Sequence, residues 1–174
     1  MGYAKLLPGS SLRITLVTKI LTAGLLVILF LFVLLGPIPI PESMGVGDFR
    51  AYWSAAYLLS QSENFADAEQ LMAVEQAHTN WEGDFAVITW NPPWLLAILL
   101  PYTAVSFARA TWLWLVTNIV IVFSGTILVW KTLASREKSQ NLGHLAPLVG
   151  LLFLPTMITL WMGQVNTLVF FGLA

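Results

Sequence analysis

The chain has 174 residues, of which 57% are hydrophobic and 10% are charged, and its formal net charge is -1. Because charged residues make up about a quarter of soluble domains, this composition excludes an ordinary soluble domain and indicates a membrane protein. Cysteine is absent, which excludes disulfides and thiolate sites. The two histidines, His78 and His144, lie far apart in sequence, so we expect neither a metal ion nor another cofactor.

The small net charge hides a strong division along the chain. Residues 37–90 contain eight acidic residues and one basic residue, a net charge of -7, while the rest of the chain carries +6. A surface that binds nucleic acid needs clustered basic residues, whereas the large polar loop here is acidic. We therefore expect membrane lipids and no nucleic acid among the partners.

The first apolar run extends from Ile14 to Gly36, and its only charge is Lys19. From Ile20 onward it has 17 uncharged residues, which with a snorkelling Lys19 can span a bilayer. The run is longer than the apolar core of a cleaved signal peptide, so we predict a retained membrane helix at 14–36. The basic residues before it predict a cytoplasmic N-terminus and place residues 37–90 outside.

Within the outer loop, the segment Gly47 to Ala56 combines charged and aromatic residues. Its apolar positions recur at helical spacing and predict an amphipathic helix over 48–60 that lies in the membrane interface. Asp48 has two interpretations. A carboxylate beside a bilayer suggests function, and Asp is also a favoured helix N-cap.

A second helix is predicted from Asp67 to about His78. Asp67 with Gln70 three residues later forms a variant of the capping box, and Leu71, Val74 and Ala77 share one helical face. Farther on, Trp81, Phe85 and Trp90 are typical of an aromatic belt at headgroup level.

Three more apolar segments are predicted to enter the membrane, and a fourth begins before the end of the chain: 92–107, 110–130, 145–162 and 167–174. Two topologies stay open. If 92–107 spans, the basic loop at 131–144 is outside; if it is re-entrant, that loop is cytoplasmic and residues 163–166 share the outer side with Asp48. We expect an all-α, polytopic fold, with residues 1–174 the N-terminal part of one longer membrane domain.

Several of these motifs occur together in a known order. Gly47-Asp48-Phe49 with Tyr52, then Pro92-Pro93-Trp94-Leu95 with Pro101, then Gly163-Gln164-x-Asn166 follow a first membrane helix. In this arrangement the chain resembles family 87 of the GT-C glycosyltransferases, which are similar to polyprenyl-phosphate-mannose-dependent mannosyltransferases. The resemblance implies a GT-C fold and transfer of a hexose, mannose above all, from a polyprenyl-phosphate sugar to a lipid or glycan acceptor at the outer face of the cell membrane.

The resemblance also implies roles for individual residues. Asp48 would be the general base, and Arg50 would bind the phosphate of the donor. The residues expected to contact substrates are Tyr52, Trp53, Trp90, Trp94, Gln164 and Asn166. Each also has a structural interpretation: Arg50 could pair with Asp48 or reach lipid headgroups, the aromatic residues could anchor the interface, and the amides could bond between helices.

The sequence departs from the family pattern at Phe65-Ala66-Asp67, where relatives tend to have a Tyr-Asp pair, and at Asn91, which separates Trp90 from Pro92. Asp84 and Glu82 are rival acids, although a solvated loop is their more common role. The alternative function is a non-enzymatic membrane protein, such as part of a transporter or a partner subunit with an acidic outer loop. The long apolar runs contain no Asp or Glu, which favours the enzyme.

Overall fold

The computed structural model describes residues 47–133, 143 and 145–174, together with Gly24. Apart from Gly24, all of these belong to one of the two compact units of the chain, Pro37–Ala174. The predicted membrane helix at 14–36 otherwise lies outside the described residues. The helices are α1 (Gly47–Ser60), α2 (Ala68–His78), α3 (Pro93–Leu99), α4 (Phe107–Leu133), α5 (Ala146–Leu152), α6 (Leu154–Met162) and α7 (Asn166–Leu173), with a 3-10 helix at Leu100–Ala104.

Every regular element in the described part of the chain is helical, as the sequence predicts. Helix α1 is its centre and packs against α2, α3, the 3-10 helix, α4 and α6. The predicted amphipathic character of α1 is wrong, because nine of its 14 residues are buried, whereas its location in the membrane interface stays a prediction. Small residues such as Ala51, Ala55 and Ala56 let the neighbouring elements approach on several sides.

Aromatic rings join α1 to the start of α4. The ring of Phe49 stacks on those of Phe107 and Trp114, with centroid distances of 6.0 and 5.5 Å. Trp53 donates a hydrogen bond from Nε1 to the main-chain oxygen of Tyr102 in the 3-10 helix, at 3.1 Å. Stacked aromatic pairs contribute roughly 0.5–1.5 kcal/mol beyond their buried area, so these contacts fix the position of α1.

Helix α2 begins as predicted. Asp67 caps it, since its Oδ1 accepts hydrogen bonds from the main-chain N–H groups of Glu69 and Gln70 at 2.9 and 3.1 Å. The reciprocal half of the capping box is replaced, because the N–H of Asp67 donates to the main-chain oxygen of Asn64. The inner face also differs from the prediction: Leu71 and Val74 are buried, but Ala77 is exposed, and Glu75 takes the inner position.

The segment from α3 to the 3-10 helix turns back within a short distance. Pro93 begins α3, as predicted, and the helix gives way to 3-10 geometry next to Pro101. The seven residues of α3 reach only about 10 Å. Both α3 and the 3-10 helix pack on α1, so this segment begins and ends near the Phe107 end of α4.

Among the described residues, α4 is the one helix long and apolar enough to cross a membrane. Its 27 residues extend about 40 Å. The predicted segment 145–162 is divided into α5 and α6 by the extended backbone of Phe153, close to Pro155. Helix α5 packs against the half of α4 that is distant from Phe107. Helix α7 also packs against α4, and a hydrogen bond between Thr167 and Asn118 joins these two helices.

The turn after α6 requires a left-handed residue. Gly163 has φ 70 and ψ 27, and its N–H and that of Gln164 donate to the main-chain oxygens of Leu160 and Thr159 at 3.3 and 3.0 Å. These two hydrogen bonds form a Schellman motif, which favours glycine. The main-chain oxygen of Gly163 also accepts a 2.8 Å hydrogen bond from Nε1 of Trp114, which ties the turn to α4.

We predict that Gly163→Ala lowers the free energy of unfolding by about 1–2 kcal/mol, because a Cβ is strained in the left-handed region. Gly172→Ala is the matched control, since a Cβ there meets no atom within 4 Å and Ala favours a helix. Denaturant unfolding in detergent compares the two variants. Equal stabilities would contradict the strain.

Candidate functional site

Asp48 lies in the first turn of α1 and is half-buried. A carboxylate in this position interacts favourably with the helix dipole. Its neighbour Gly47 lies against the end of α6: a Cβ added to Gly47 would come within 3.8 Å of the main-chain oxygen of Met162. The start of α1 and the end of α6 therefore meet, near the Phe107 end of α4.

The turn at residues 163–166 belongs to the same place. Val165 is buried in the hydrophobic cluster that contains Phe49, whereas Gln164 is half-buried and Asn166 is exposed. Nδ2 of Asn166 donates a 2.9 Å hydrogen bond to Oε1 of Gln164. The structure thus brings Gln164 and Asn166 to the Asp48 end of α4, which the sequence left open.

Tyr52 and Asn91 complete this group. Tyr52 is buried, and burial raises the pKa of its hydroxyl, an effect that the nearby Asn91 side chain opposes and the charge of Asp48 reinforces. Asp48 and Tyr52 lie about one turn apart on α1, and the side chain of Asn91 approaches the Tyr52 hydroxyl. In the sequence, Asn91 stands out only as a departure from the family pattern, and its position between Trp90 and Trp94, two proposed site residues, is the signal that could have identified it.

Arg50 points away from Asp48 into the protein. Its Nε donates to Oγ1 of Thr79 at 3.0 Å, its Nη2 donates to the main-chain oxygen of Thr79 at 3.5 Å, and its guanidinium lies 4.5 Å from the ring centroid of Trp81. Burial lowers the pKa of Arg50, and the charge of Glu75 opposes that shift. These contacts match neither the predicted ion pair with Asp48 nor contact with lipid headgroups.

Glu75 is the buried acid that sequence analysis missed. Its side chain is fully buried, and Oε2 accepts a 3.0 Å hydrogen bond from the main-chain N–H of Val87. Burial raises the pKa of this carboxyl, while the Val87 hydrogen bond and the charge of Arg50 oppose the shift. Its spacing from Leu71 places it on the inner face of α2, which was the available signal.

The four aromatic residues proposed for sugar contacts divide into two pairs. Tyr52 and Trp53 are buried, and Trp53 stacks on Tyr57 at 5.3 Å. Trp90 and Trp94 are 92% and 60% exposed. The ring faces of Trp90 and Trp94 are therefore open to a substrate or a bilayer, whereas Trp53 is part of the core.

A large apolar groove runs beside α4. Its volume is about 1250 Å³, and it is lined by Val122, Thr126, Val129, Trp130, Leu133, Leu145, Ala146, Val149, Gly150, Phe153, Pro155, Thr156, Thr159, Asn166, Thr167 and Phe170. From Val122 to Leu133 it follows α4 for about 16 Å. Its polar side chains include Asn166 and Thr167, which follow the turn at residues 163–166, whereas along α4 its lining begins at Val122 and does not include Asp48.

Comparisons with protein-family models, with curated proteins and with solved structures find no match for the chain. Function therefore has to be argued from the site itself, because a fold class does not determine an activity.

Ser54 and Thr79 both carry buried hydroxyls, but only that of Thr79 bonds to Arg50, so substitutions of the two test what this bond contributes to stability. The Oγ of Ser54 has no hydrogen-bond partner among the described residues, so Ser54→Ala is expected to keep or raise the free energy of unfolding by up to about 1 kcal/mol. Thr79→Val removes the acceptor of the buried Arg50, and we expect it to cost about 1–3 kcal/mol. Denaturant unfolding measures both, and an undiminished stability in Thr79→Val would contradict the role of Arg50.

Proposed function

We propose that the protein is a membrane glycosyltransferase that moves a hexose, mannose above all, from a polyprenyl-phosphate donor to a lipid or glycan acceptor. The observation that carries the proposal is the placement of Asp48. A half-buried carboxylate lies in the first turn of α1, which meets the end of α6 just before the turn that carries Gln164 and Asn166, and Asn166 also lines the apolar groove. This placement suits a substrate with a polar head and a long apolar tail, and it agrees with the resemblance to family 87.

The proposed reaction requires one general base from the protein and a good leaving group on the donor. Asp48 takes the proton of the acceptor hydroxyl while that oxygen attacks the anomeric carbon, and the bond between that carbon and the phosphate oxygen breaks on the opposite face. The lipid phosphate leaves with the electron pair, and the configuration inverts. A single positioned base contributes about 10²–10⁴-fold to such a step.

The exposed polar and aromatic groups of the site are assigned to substrates. Gln164 and Asn166 carry amides that can bond to the head of the donor, and the open rings of Trp90 and Trp94 can stack on a sugar or seat in the interface. We assign Trp53 and Arg50 to the core instead. A phosphate would have to draw the guanidinium of Arg50 away from Thr79 and Trp81.

The sidedness of the site follows from the charges. If α4 crosses the membrane, Lys131 in its last turn lies at the opposite end from Asp48, and the basic sequence that follows begins there. The positive-inside rule then places that sequence in the cytoplasm and Asp48 outside. Segment 92–107 is then re-entrant, in keeping with the short α3 and its packing on α1.

We expect Asp48→Asn to reduce sugar transfer by roughly 10²-fold or more, because an amide cannot accept the proton. The assay uses membranes that contain the full-length protein, with polyprenyl-phosphate mannose as donor, and membrane insertion is checked for each variant. Asp84→Asn is the matched control, since Asp84 is exposed on the loop, and it should retain activity.

Retained activity in Asp48→Asn would remove Asp48 as the base, and loss in Asp84→Asn alone would assign that role to Asp84. A wild-type protein inert with every lipid-linked donor would favour the non-enzymatic alternative.

We also predict that the apolar tail of the donor binds in the groove. Val149→Trp puts an indole into the groove and is expected to raise the KM for the lipid-linked donor about fivefold or more, with a smaller change in kcat, because it competes with the apolar tail. Leu148→Trp is the control, since Leu148 is exposed on the same helix but does not line the groove. The same KM in both variants would contradict a tail in this groove.

A further inference from the structure

Residues 80–92, called here the return segment, connect α2 to α3 without a helix. They carry Asn91 to its place beside Tyr52 and end next to α3. A segment without repeating main-chain hydrogen bonds needs other contacts to hold one path. Two of these contacts are local: Nε2 of Gln76 donates to the main-chain oxygen of Gly83 at 3.1 Å, and Nε1 of Trp81 donates to that of Phe85 at 2.7 Å.

Glu75 hydrogen bonds to the return segment at two places. Its main-chain oxygen accepts hydrogen bonds from the N–H and Oγ1 of Thr79, at 3.0 and 2.6 Å, and from the N–H of Trp81 at 3.4 Å. Its side chain reaches past that turn to the N–H of Val87, 12 residues later. One residue of α2 thus bonds to the beginning and to the middle of the return segment.

Because the Glu75 carboxyl is buried, loss of its hydrogen bond with Val87 is expected to destabilise the structure. The side chain is fully buried, and its Oε1 has no hydrogen-bond partner among the described residues. The main-chain N–H of Val87 would be left without this acceptor if the carboxyl were removed, and an unpaired polar group carries the full penalty of desolvation.

We propose that Glu75 is a positioning residue that fastens the return segment to α2 and α1 and thereby sets Asn91 beside Tyr52 at the Asp48 end. Glu75 itself is held from the other side, since Thr79 and Trp81 both contact Arg50 of α1. Any effect on sugar transfer rests on the proposed function. The effect on the return segment does not.

The charges around Glu75 decide how the contact responds to pH. Arg50 faces it from α1, and on α2 the ring of His78 packs instead against Trp53 and Tyr57. On the return segment, Glu82 and Asp84 are exposed.

Burial raises the pKa of the Glu75 carboxyl above its ordinary value of 4.5. We call the return segment closed when Val87 is bonded to Glu75 and open when it is detached and the carboxyl is exposed to water. The carboxyl therefore releases its proton at a lower pH in the open state than in the closed state. The closed state is favoured most below pH 4.5 and loses part of that advantage as the pH rises towards the raised pKa.

Hydrogen exchange of the protein in detergent, followed by mass spectrometry of its peptides, tests the proposal. In Glu75→Ala, peptides covering 80–92 should exchange at least tenfold faster than in the wild type, while those of α4 stay unchanged. Glu75→Gln keeps an acceptor for Val87 and should restore most of the protection. Glu69→Gln, at an exposed position on the same helix, should leave the wild-type pattern.

A Glu75→Ala protein whose return segment exchanges like that of Glu69→Gln overturns the proposal. If Glu75→Ala opens α1 as well, the pH dependence decides between positioning and general stability. Protection of 80–92, corrected for intrinsic exchange, should fall with rising pH above 4.5 in the wild type and stay level in Glu75→Gln; parallel curves overturn the proposal. Wild-type protein that shows these changes but transfers no sugar keeps Glu75 in this role and rejects only the proposed function.

Discussion

Phe49 stacks on two aromatic rings of α4, and the placement of the other elements depends on that contact. It sets the first turn of α1 beside the start of the long apolar helix, so Asp48 stands at one end of that helix. The 3-10 helix is joined to α1 by Trp53, and the turn after α6 is joined to α4 by Trp114. Three aromatic side chains, Phe49, Trp53 and Trp114, thus join segments that are distant in sequence.

The same packing explains why α1 carries polar residues that do not reach solvent. Other elements cover α1 on several sides and bury nine of its 14 residues, Arg50 among them, so Arg50 must find its partners inside. It donates a hydrogen bond to Thr79, lies over the ring of Trp81 and interacts with the charge of Glu75. Buried charges are retained only where they are paired or hydrogen bonded, and here the arrangement joins α1, α2 and the return segment.

The two ends of α4 differ in chemistry. The end near Phe107 holds a half-buried carboxylate and the turn that carries Gln164 and Asn166, while the groove beside the helix is mostly apolar and extends from Val122 to Leu133. A substrate that is polar at one end and apolar along its length fits this division. The proposed transfer from a lipid-linked sugar uses both parts, with the reacting atoms at the polar end.

Local sequence signals determined much of the fold. Asp67 predicts the start of α2, Pro93 the start of α3, and the uncharged run from Ala110 to Trp130 the long helix, because caps, prolines and apolar runs act on residues within one or two turns. Asp48 as the functional acid was also predicted from the sequence, by its type and place, and stays a prediction. The burial of α1 could not be predicted in this way, since its apolar spacing fits a membrane surface equally well.

Tertiary structure alone decided which candidates meet. The bond from Arg50 to Thr79 joins residues 29 apart, and the bonds from Trp53 to Tyr102 and from Trp114 to Gly163 each join residues 49 apart. No local pattern encodes such partners, because burial of a polar group depends on what packs against it from elsewhere in the chain. This is why the sequence determined the helices, while only packing turned Arg50 inward, buried Glu75 and brought Gln164 and Asn166 to the Asp48 end.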